Sequence, residues 1–336
     1  MSVSEVFSIA FSSPVSRFFD GANADLSHLR RGDVAFIGMP SDATHTSRIG
    51  TRFGPRALRH ETSLLMHQLR RDAQCGLIDT ASGLVCGLAD RRTLVDLGDA
   101  TIHPLDVENT IRSIADMTGA VVKTGALPFA IGGDHFNSYP ACLGVSEALA
   151  QSEPGVRFGY IQIDGHLDFC DRLAAWGPFN HATNARRCSE LPNIRRENMV
   201  WIGIAGWVDG NDVAEIEGFG GLIFSAEDVH RIGAREVARR AVEHAMRNCD
   251  RLYLTIDIDA LDSGFLPGTG SIVHSEITCR QYLDLLEIFA EAPLCGIDLV
   301  EVSPPLDPSG RSEAIAAHLL FEIIRPRLVV EKGLPA

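Results

Sequence analysis

Phe158-Gly159-Tyr160-Ile161-Gln162-Ile163 runs directly into Asp164-Gly165-His166-Leu167-Asp168. The first six residues have the make-up of a short buried strand, and the next five carry three metal-type side chains where such a strand would end. The arrangement recurs along the chain. Residues 128–131 lead into Gly132-Gly133-Asp134-His135, residues 252–258 close on Asp257-Ile258-Asp259, and residues 295–300 are followed by Glu301. Further β-rich runs lie at 34–39, 93–97, 199–204 and 222–224, and segments with helical spacing at 55–70, 103–117, 229–247, 277–292 and 312–324. This alternation predicts repeated βα units and a helix-covered parallel sheet. Seven or eight strands without a low-complexity linker predict one doubly wound α/β domain, and counting alone leaves a closed eight-stranded barrel as the alternative. Open parallel sheets place their sites beyond the carboxyl ends of the strands, so four distant stretches can meet in one cleft.

Asp164, His166 and Asp168 are two residues apart, so an extended backbone would turn all three to one face, and Asp257 with Asp259 repeats the spacing. Carboxylates crowded into one pocket repel one another and lose hydration unless a cation compensates them. With His135 the set is a mixed nitrogen and oxygen shell that suits two Mn²⁺ ions, with Ni²⁺, Co²⁺ or Zn²⁺ as alternatives. Each motif alone would read as a capped strand end or a glycine turn. Their ordered combination points to a dinuclear site.

The chain has 336 residues, 45% of them hydrophobic, enough for a sizeable core. Its 44 acidic against 30 basic residues give a net charge of -14, which disfavours nucleic acid and anionic membrane as partners and suits a small cationic ligand. The eight cysteines form no CxxC pair, and a disulfide scaffold is unnecessary at this size. Phe7, Phe11, Val15, Phe18 and Phe19 make the start apolar, but Glu5 precedes them and no basic region leads in, which argues against a secretory signal. No apolar stretch reaches the length of a membrane span, so the expected compartment is a reducing cytoplasm. The glycines at 132–133 and 264–270 lack the GKT/S or GxGxxG context of a nucleotide site. Cys170 lies close to the metal motif and reads better as a structural cysteine than as a thiolate nucleophile.

Taken together, Gly38-Met39-Pro40-Ser41-Asp42, Gly50-Thr51-Arg52-Phe53-Gly54-Pro55-Arg56, Asp96-Leu97-Gly98-Asp99, the metal motifs and Val300-Glu301-Val302-Ser303-Pro304-Pro305-Leu306-Asp307 resemble the arginase and agmatinase family of ureohydrolases, in wording closest to the agmatinase branch. The resemblance covers nearly the whole chain. It implies a three-layer α/β/α fold around a mostly parallel eight-stranded sheet, with residues 31–336 as one catalytic domain, residues 1–30 as an extension packed on or near it, and assembly as a homotrimer or homohexamer. It also implies that His135, Asp164, Asp168 and Asp257 ligate one manganese and His166, Asp164, Asp257 and Asp259 the other. By the same resemblance Asp168 orients the attacking hydroxide, Glu301 clamps a guanidinium, and His181 shuttles a proton, although the family's His-Gly-Thr reads His181-Ala182-Thr183 here. The implied reaction is hydrolysis of a small guanidino compound to urea and an amine. A non-catalytic partner subunit is the competing class, and the intact cluster argues against it.

Three departures from the agmatinase pattern mark the substrate end. The loop after Asp259 keeps Leu266-Pro267-Gly268-Thr269-Gly270 but continues as Ser271-Ile272-Val273-His274-Ser275-Glu276, Ile204 is followed by Ala205-Gly206-Trp207 instead of Arg, and Trp176 to Ala182 puts aromatic and amide groups beside His181. Trp176, Asn180 and His274 are therefore the candidate pocket residues. Trp201 and Trp207 flank a strand and read equally well as packing. The expected substrate is a guanidine other than arginine, with agmatine, guanidinobutyrate, guanidinopropionate and N-substituted guanidines as the contenders.

Overall fold

The apolar runs form one open sheet in which every neighbouring pair is parallel, which excludes the barrel. The computed structural model describes residues 16–23, 25–69, 77–78, 80, 83–86, 93–274, 277–327 and 329–332. In chain order its strands are β1 (Ala22–Asn23), β2 (Val34–Met39), β3 (Leu77–Ile78), β4 (Leu84–Cys86), β5 (Leu94–Asp99), β6 (Leu127–Gly132), β7 (Phe158–Ile163), β8 (Ile194–Ile204), β9 (Leu222–Ser225), β10 (Arg251–Asp257), β11 (Leu294–Val300) and β12 (Val329–Lys332). The main sheet runs β1-β5-β2-β6-β11-β10-β7-β8-β9, and β12, β4 and β3 form a small antiparallel sheet. Eight of the nine main strands answer to the sequence runs. The ninth, β1, is a two-residue edge within the first thirty residues, and Phe18 and Phe19 just before it are wholly buried.

Helices cover both faces, completing the three layers. Along β7 the alternation sends Ile161 and Ile163 into a core shared with helices Ala234–Ala245, Cys279–Phe289 and Arg311–Ile324, and Phe158 and Tyr160 into the opposite core under Ser138–Ser152 and Asn184–Ser189. The helical run expected at 229–247 is two helices, Ala226–Ile232 and Ala234–Ala245, because Gly233 turns the chain at φ +96. After β6 the chain skips two positions before laying down β7, and β10 and β11 later fill the gap. The four central strands β6, β11, β10 and β7 thereby bring their carboxyl ends side by side.

Candidate metal centre

These four strand ends carry the chemistry. His135 opens a short turn after β6, Asp164 follows β7, Asp257 ends β10 with Asp259 in the turn Ile258–Ala260, and Glu301 follows β11. The side chains converge, but not through an extended backbone. The strand ends at Ile163, and Asp168 is reached by a turn that leaves it left-handed at φ +46; Glu301 is also left-handed at φ +66. Non-glycine residues stay in that region only where their surroundings hold them.

Nδ1 of His135 lies 3.0 Å from Asp164 Oδ2, 3.0 Å from Asp168 Oδ2 and 2.9 Å from Asp257 Oδ2. On the other side of the ring, Nε2 meets Thr255 Oγ1 at 3.0 Å, and Thr255 donates to Asp298 Oδ1 at 2.6 Å. Thr255 is thus free to accept, which places a proton on Nε2 and, in the neutral ring, leaves the Nδ1 lone pair facing carboxylate oxygens. That buried nitrogen makes no hydrogen bond. Lone pairs opposed to lone pairs in a water-free pocket are costly, and a cation among them removes the cost. Asp164 extends the cluster, its Oδ1 lying 3.5 Å from His166 Nδ1, which is itself 3.0 Å from Asp259 Oδ2. The donors therefore fall into two groups, His135 with Asp164 and Asp257, and His166 with Asp164 and Asp259, sharing Asp164. Asp257 is placed with the first group only.

The electrostatics favour a cation at this cluster. Burial, with Asp259 and Asp164 nearby, pushes Asp257 well above the usual carboxylate range; burial and Asp164 likewise bring Asp259 to about 6 against the pull of His166. Burial disfavours a charged His135 and a charged His166, yet the surrounding carboxylates raise both imidazoles well above their ordinary values. The protein alone needs protons to hold this cluster together. Two divalent ions would supply the same compensation, and the nitrogen and carboxylate donors fit them.

Beside the cluster stands a group that the sequence reading only half saw. Glu301 Oε1 accepts from the His135 backbone N–H at 2.8 Å, Oε2 meets His45 Nε2 at 3.1 Å, and His181 Nδ1 lies 3.6 Å from Oε1. Burial opposes a charged Glu301, but His181 and His45 hold it well below the usual carboxylate range. Burial also opposes a charged His181, and Glu301, with Asp168 and Asp134 behind it, outweighs that and lifts His181 to about 9.

A family profile described as the Arginase family matches residues 32–325. The chain belongs to the arginase family. It is 32% identical over 297 residues to a guanidinopropionase of Pseudomonas aeruginosa, covering 87% of this chain and 85% of that protein, and 31% identical over 296 residues to the human mitochondrial guanidino acid hydrolase, covering 87% and 77%. Among solved structures, proclavaminate amidino hydrolase from Streptomyces clavuligerus superposes with a TM-score of 0.77 at 25% identity, covering 94% of this chain and 98% of that one. As a member of the arginase family, the chain is a metal-dependent amidinohydrolase.

For this arginase-family enzyme the open end of the cluster is a cleft of about 460 Å³, lined among others by His166, Asp168, Trp207, Asp209, Asp212 and His274. His274 is among the lining residues of this cleft. Trp176 does not line it: it lines a separate cleft with Leu105, Phe136 and Phe179. Asn180 lines neither cleft, being wholly buried with its side chain capping the turn His181–Thr183 through Ala182 N at 3.1 Å. Trp201 is a core residue, donating to Leu167 O, whereas Trp207 is fully exposed at the cleft. Sequence reasoning missed His45, Thr255, Asp298, and Gln162, whose Nε2 donates to Asp164 Oδ2 at 2.6 Å. The available signal was an acid or amide inside an otherwise apolar strand, as Asp298 is in β11 and Gln162 in β7.

Proposed function

We propose that this enzyme hydrolyses a small guanidino compound to urea and an amine, with two divalent ions held by His135, Asp164, His166, Asp168, Asp257 and Asp259. The observation that carries the reading is the unsatisfied, buried Nδ1 of His135 among three carboxylates. Mn²⁺ suits this mixed donor set, and Ni²⁺ is the second choice. When bound, such ions supply a water of lowered pKa and neutralise four aspartates. The residues do the rest. Glu301, anionic and buried, is placed to hold the planar N–H edge of the guanidinium by charge-assisted hydrogen bonds. Asp168, fixed by its left-handed backbone, orients the proton of the attacking water. His181, beside the Glu301 carboxylate that favours its charged form, can protonate the departing nitrogen. Water oxygen joins the guanidine carbon, one C–N bond breaks, and the nitrogen leaves as the amine.

The cleft bears on the substrate tail. Among the described residues its lining carries Asp209, Asp212 and the exposed Trp207 but no lysine or arginine, a surrounding that favours a cationic or uncharged tail, as in agmatine or an alkylguanidine. A guanidino acid is the second reading, favoured by the names of the two relatives and by His274, an exposed imidazole of the lining. The deciding experiment measures urea release by the Mn²⁺-loaded enzyme from agmatine, methylguanidine, guanidinobutyrate and guanidinopropionate. A kcat/KM highest for agmatine or methylguanidine supports the cationic-or-neutral tail, one highest for either acid reverses it, and urea from none of them sinks the reaction itself. A mass measurement completes the picture, the expectation being a homotrimer or homohexamer.

A further inference from the structure

His45, His181 and Glu301 come from three separate segments, the loop after β2, the turn His181–Thr183 and the end of β11, and their donor atoms lie close enough together to hold an ion. The hydrogen bonds say otherwise. The Ser47 backbone N–H donates to His45 Nδ1 at 3.0 Å, so that nitrogen is an acceptor and the ring proton sits on Nε2. Nε2–H then points at Glu301 Oε2, 3.1 Å away, and has no lone pair to offer a metal.

We propose that His45 is a positioning residue that locks Glu301 and His181 into one rigid unit at the guanidinium end of the substrate, a proposal that rests on the guanidino-hydrolase reading above. Three contacts make the lock. The hydrogen bond from Nε2 leaves neither oxygen of Glu301 without a donor, since the His135 N–H already holds Oε1. The His45 ring stacks on His181 with centroids 4.3 Å apart and planes 27° from parallel, so the imidazole of His181 cannot tilt towards the loop after β2. His181 Nε2 is held from the other end by Thr46 Oγ1 at 2.7 Å, one residue from His45. The ring of His45 is itself boxed in, because its side chain is fully buried and a Cβ on Gly270 would lie 2.5 Å from His45 Nε2. Arg48 and Ser47 bind the Gly270 carbonyl at 2.9 and 3.3 Å, tying the glycine loop to the same segment. Glutamate has three rotatable bonds, and a carboxylate that must meet a planar cation edge-on gains from being fixed before the cation arrives. His45 does this without touching the reacting atoms.

Two substitutions separate the donor from the ring. His45→Phe keeps volume and stacking but removes the proton; His45→Gln keeps a donor and removes the ring. Each is compared with the native Mn²⁺-loaded enzyme by metal content, by calorimetric titration with guanidinium chloride at millimolar concentration, and by urea-release kinetics. His45→Phe is expected to keep its metal content, to bind guanidinium about tenfold more weakly, and to raise KM more than it lowers kcat. His45→Gln is expected to recover most of the guanidinium affinity. Native affinity in His45→Phe overturns the proposal, as does a His45→Gln variant no better than His45→Phe. Should His45→Phe fail to fold, the His45→Gln affinity alone decides, within threefold of native supporting the lock and a tenfold loss refuting it. Guanidinium binding is read without turnover, so an enzyme that releases urea from no substrate would fail the functional reading while this test still stands.

Discussion

His135, Asp164 and Asp257 form a buried floor at neighbouring strand ends, behind the His166 and Asp168 that line the cleft, whereas Trp207, Ile272 and His274 at its rim are exposed on loops. Each floor side chain is pinned by its neighbours. Asp164 accepts from Gln162 and from the His166 backbone, Asp257 from the Asp259 backbone at 2.8 Å, and His135 leans on Thr255 and through it on Asp298. Altering one of them strands a buried charge that its neighbours were built to share. The rim carries no such obligation. Floor residues therefore define the class of reaction, and rim residues can change the substrate without touching the chemistry.

The sharpest way to break this contrast is at the floor. Asp164→Asn removes the one carboxylate common to both donor groups, so both metals should be lost or weakened together and urea release should fall by about a thousandfold or more. Metal analysis by mass spectrometry, alongside the rate, checks it. A variant that kept two ions per chain and most of its activity would show that the floor is not a coupled unit.

His181 stands between the two regions, largely but not wholly buried and outside the two donor groups. His181→Asn should lower kcat by about a hundredfold to a thousandfold while metal content stays unchanged. Its pH dependence has a definite sign. The folded value of about 9 exceeds the ordinary 6.5, so the contribution of charged His181 to stability is complete below about pH 6.5 and is lost as pH rises through about 9. The gap in stability between native and variant metal-free protein, about 3 kcal/mol at its largest, should close over that interval in denaturant titrations, and a gap constant from pH 6 to pH 10 would contradict the assignment.

The floor was legible in the sequence because its residues follow apolar runs whose strand character is plain, and a strand end fixes where the next side chains go. Even so, the reason offered was only partly the right one: Asp168 and Asp259 join the cluster through turns and not by the alternation of an extended chain. Helix Ser138–Ser152 escaped notice because Ala141, Gly144, Ser146 and Ala148 are buried along with its larger apolar residues, leaving no strong polar stripe to reveal the period. His45 was illegible for another reason. Its meaning lies in a hydrogen bond to a residue 256 positions away, and nothing local to Thr44-His45-Thr46 announces that partner. The rim was read as a place of altered specificity, yet Trp176 and Asn180 were assigned to it by nearness in sequence, and the chain turns both elsewhere.

The smallest expected effect lies at the rim, where the comparison is sharpened and not broken. Asp212 is half-buried, and burial together with the neighbouring Asp209 raises its carboxyl above the ordinary value, against the pull of Arg186. Two acids that repel each other at the edge of a cleft gain when a cation settles between them, and the fully exposed indole of Trp207 offers such a cation an apolar and π-electron face. A double variant, Asp209→Asn with Asp212→Asn, should therefore raise KM for agmatine by about threefold to tenfold, the range expected for partly exposed charge pairs, and leave kcat and metal content near native. Asp209 also caps helix Gly210–Gly218 by accepting from Asn211 N at 2.8 Å, and asparagine is as good a cap, so the fold is not at stake in this substitution. The same variant should leave methylguanidine unaffected, because that compound has no distant charge to lose. Guanidinobutyrate is the informative third substrate: its carboxylate tail should be relieved of repulsion, lowering KM by a similar factor. Kinetics on these three compounds at low ionic strength, repeated at high salt where the differences should shrink, make the outcome specific. If agmatine and guanidinobutyrate shifted in the same direction, the two aspartates would be acting on the shape of the rim and not on the charge of the tail.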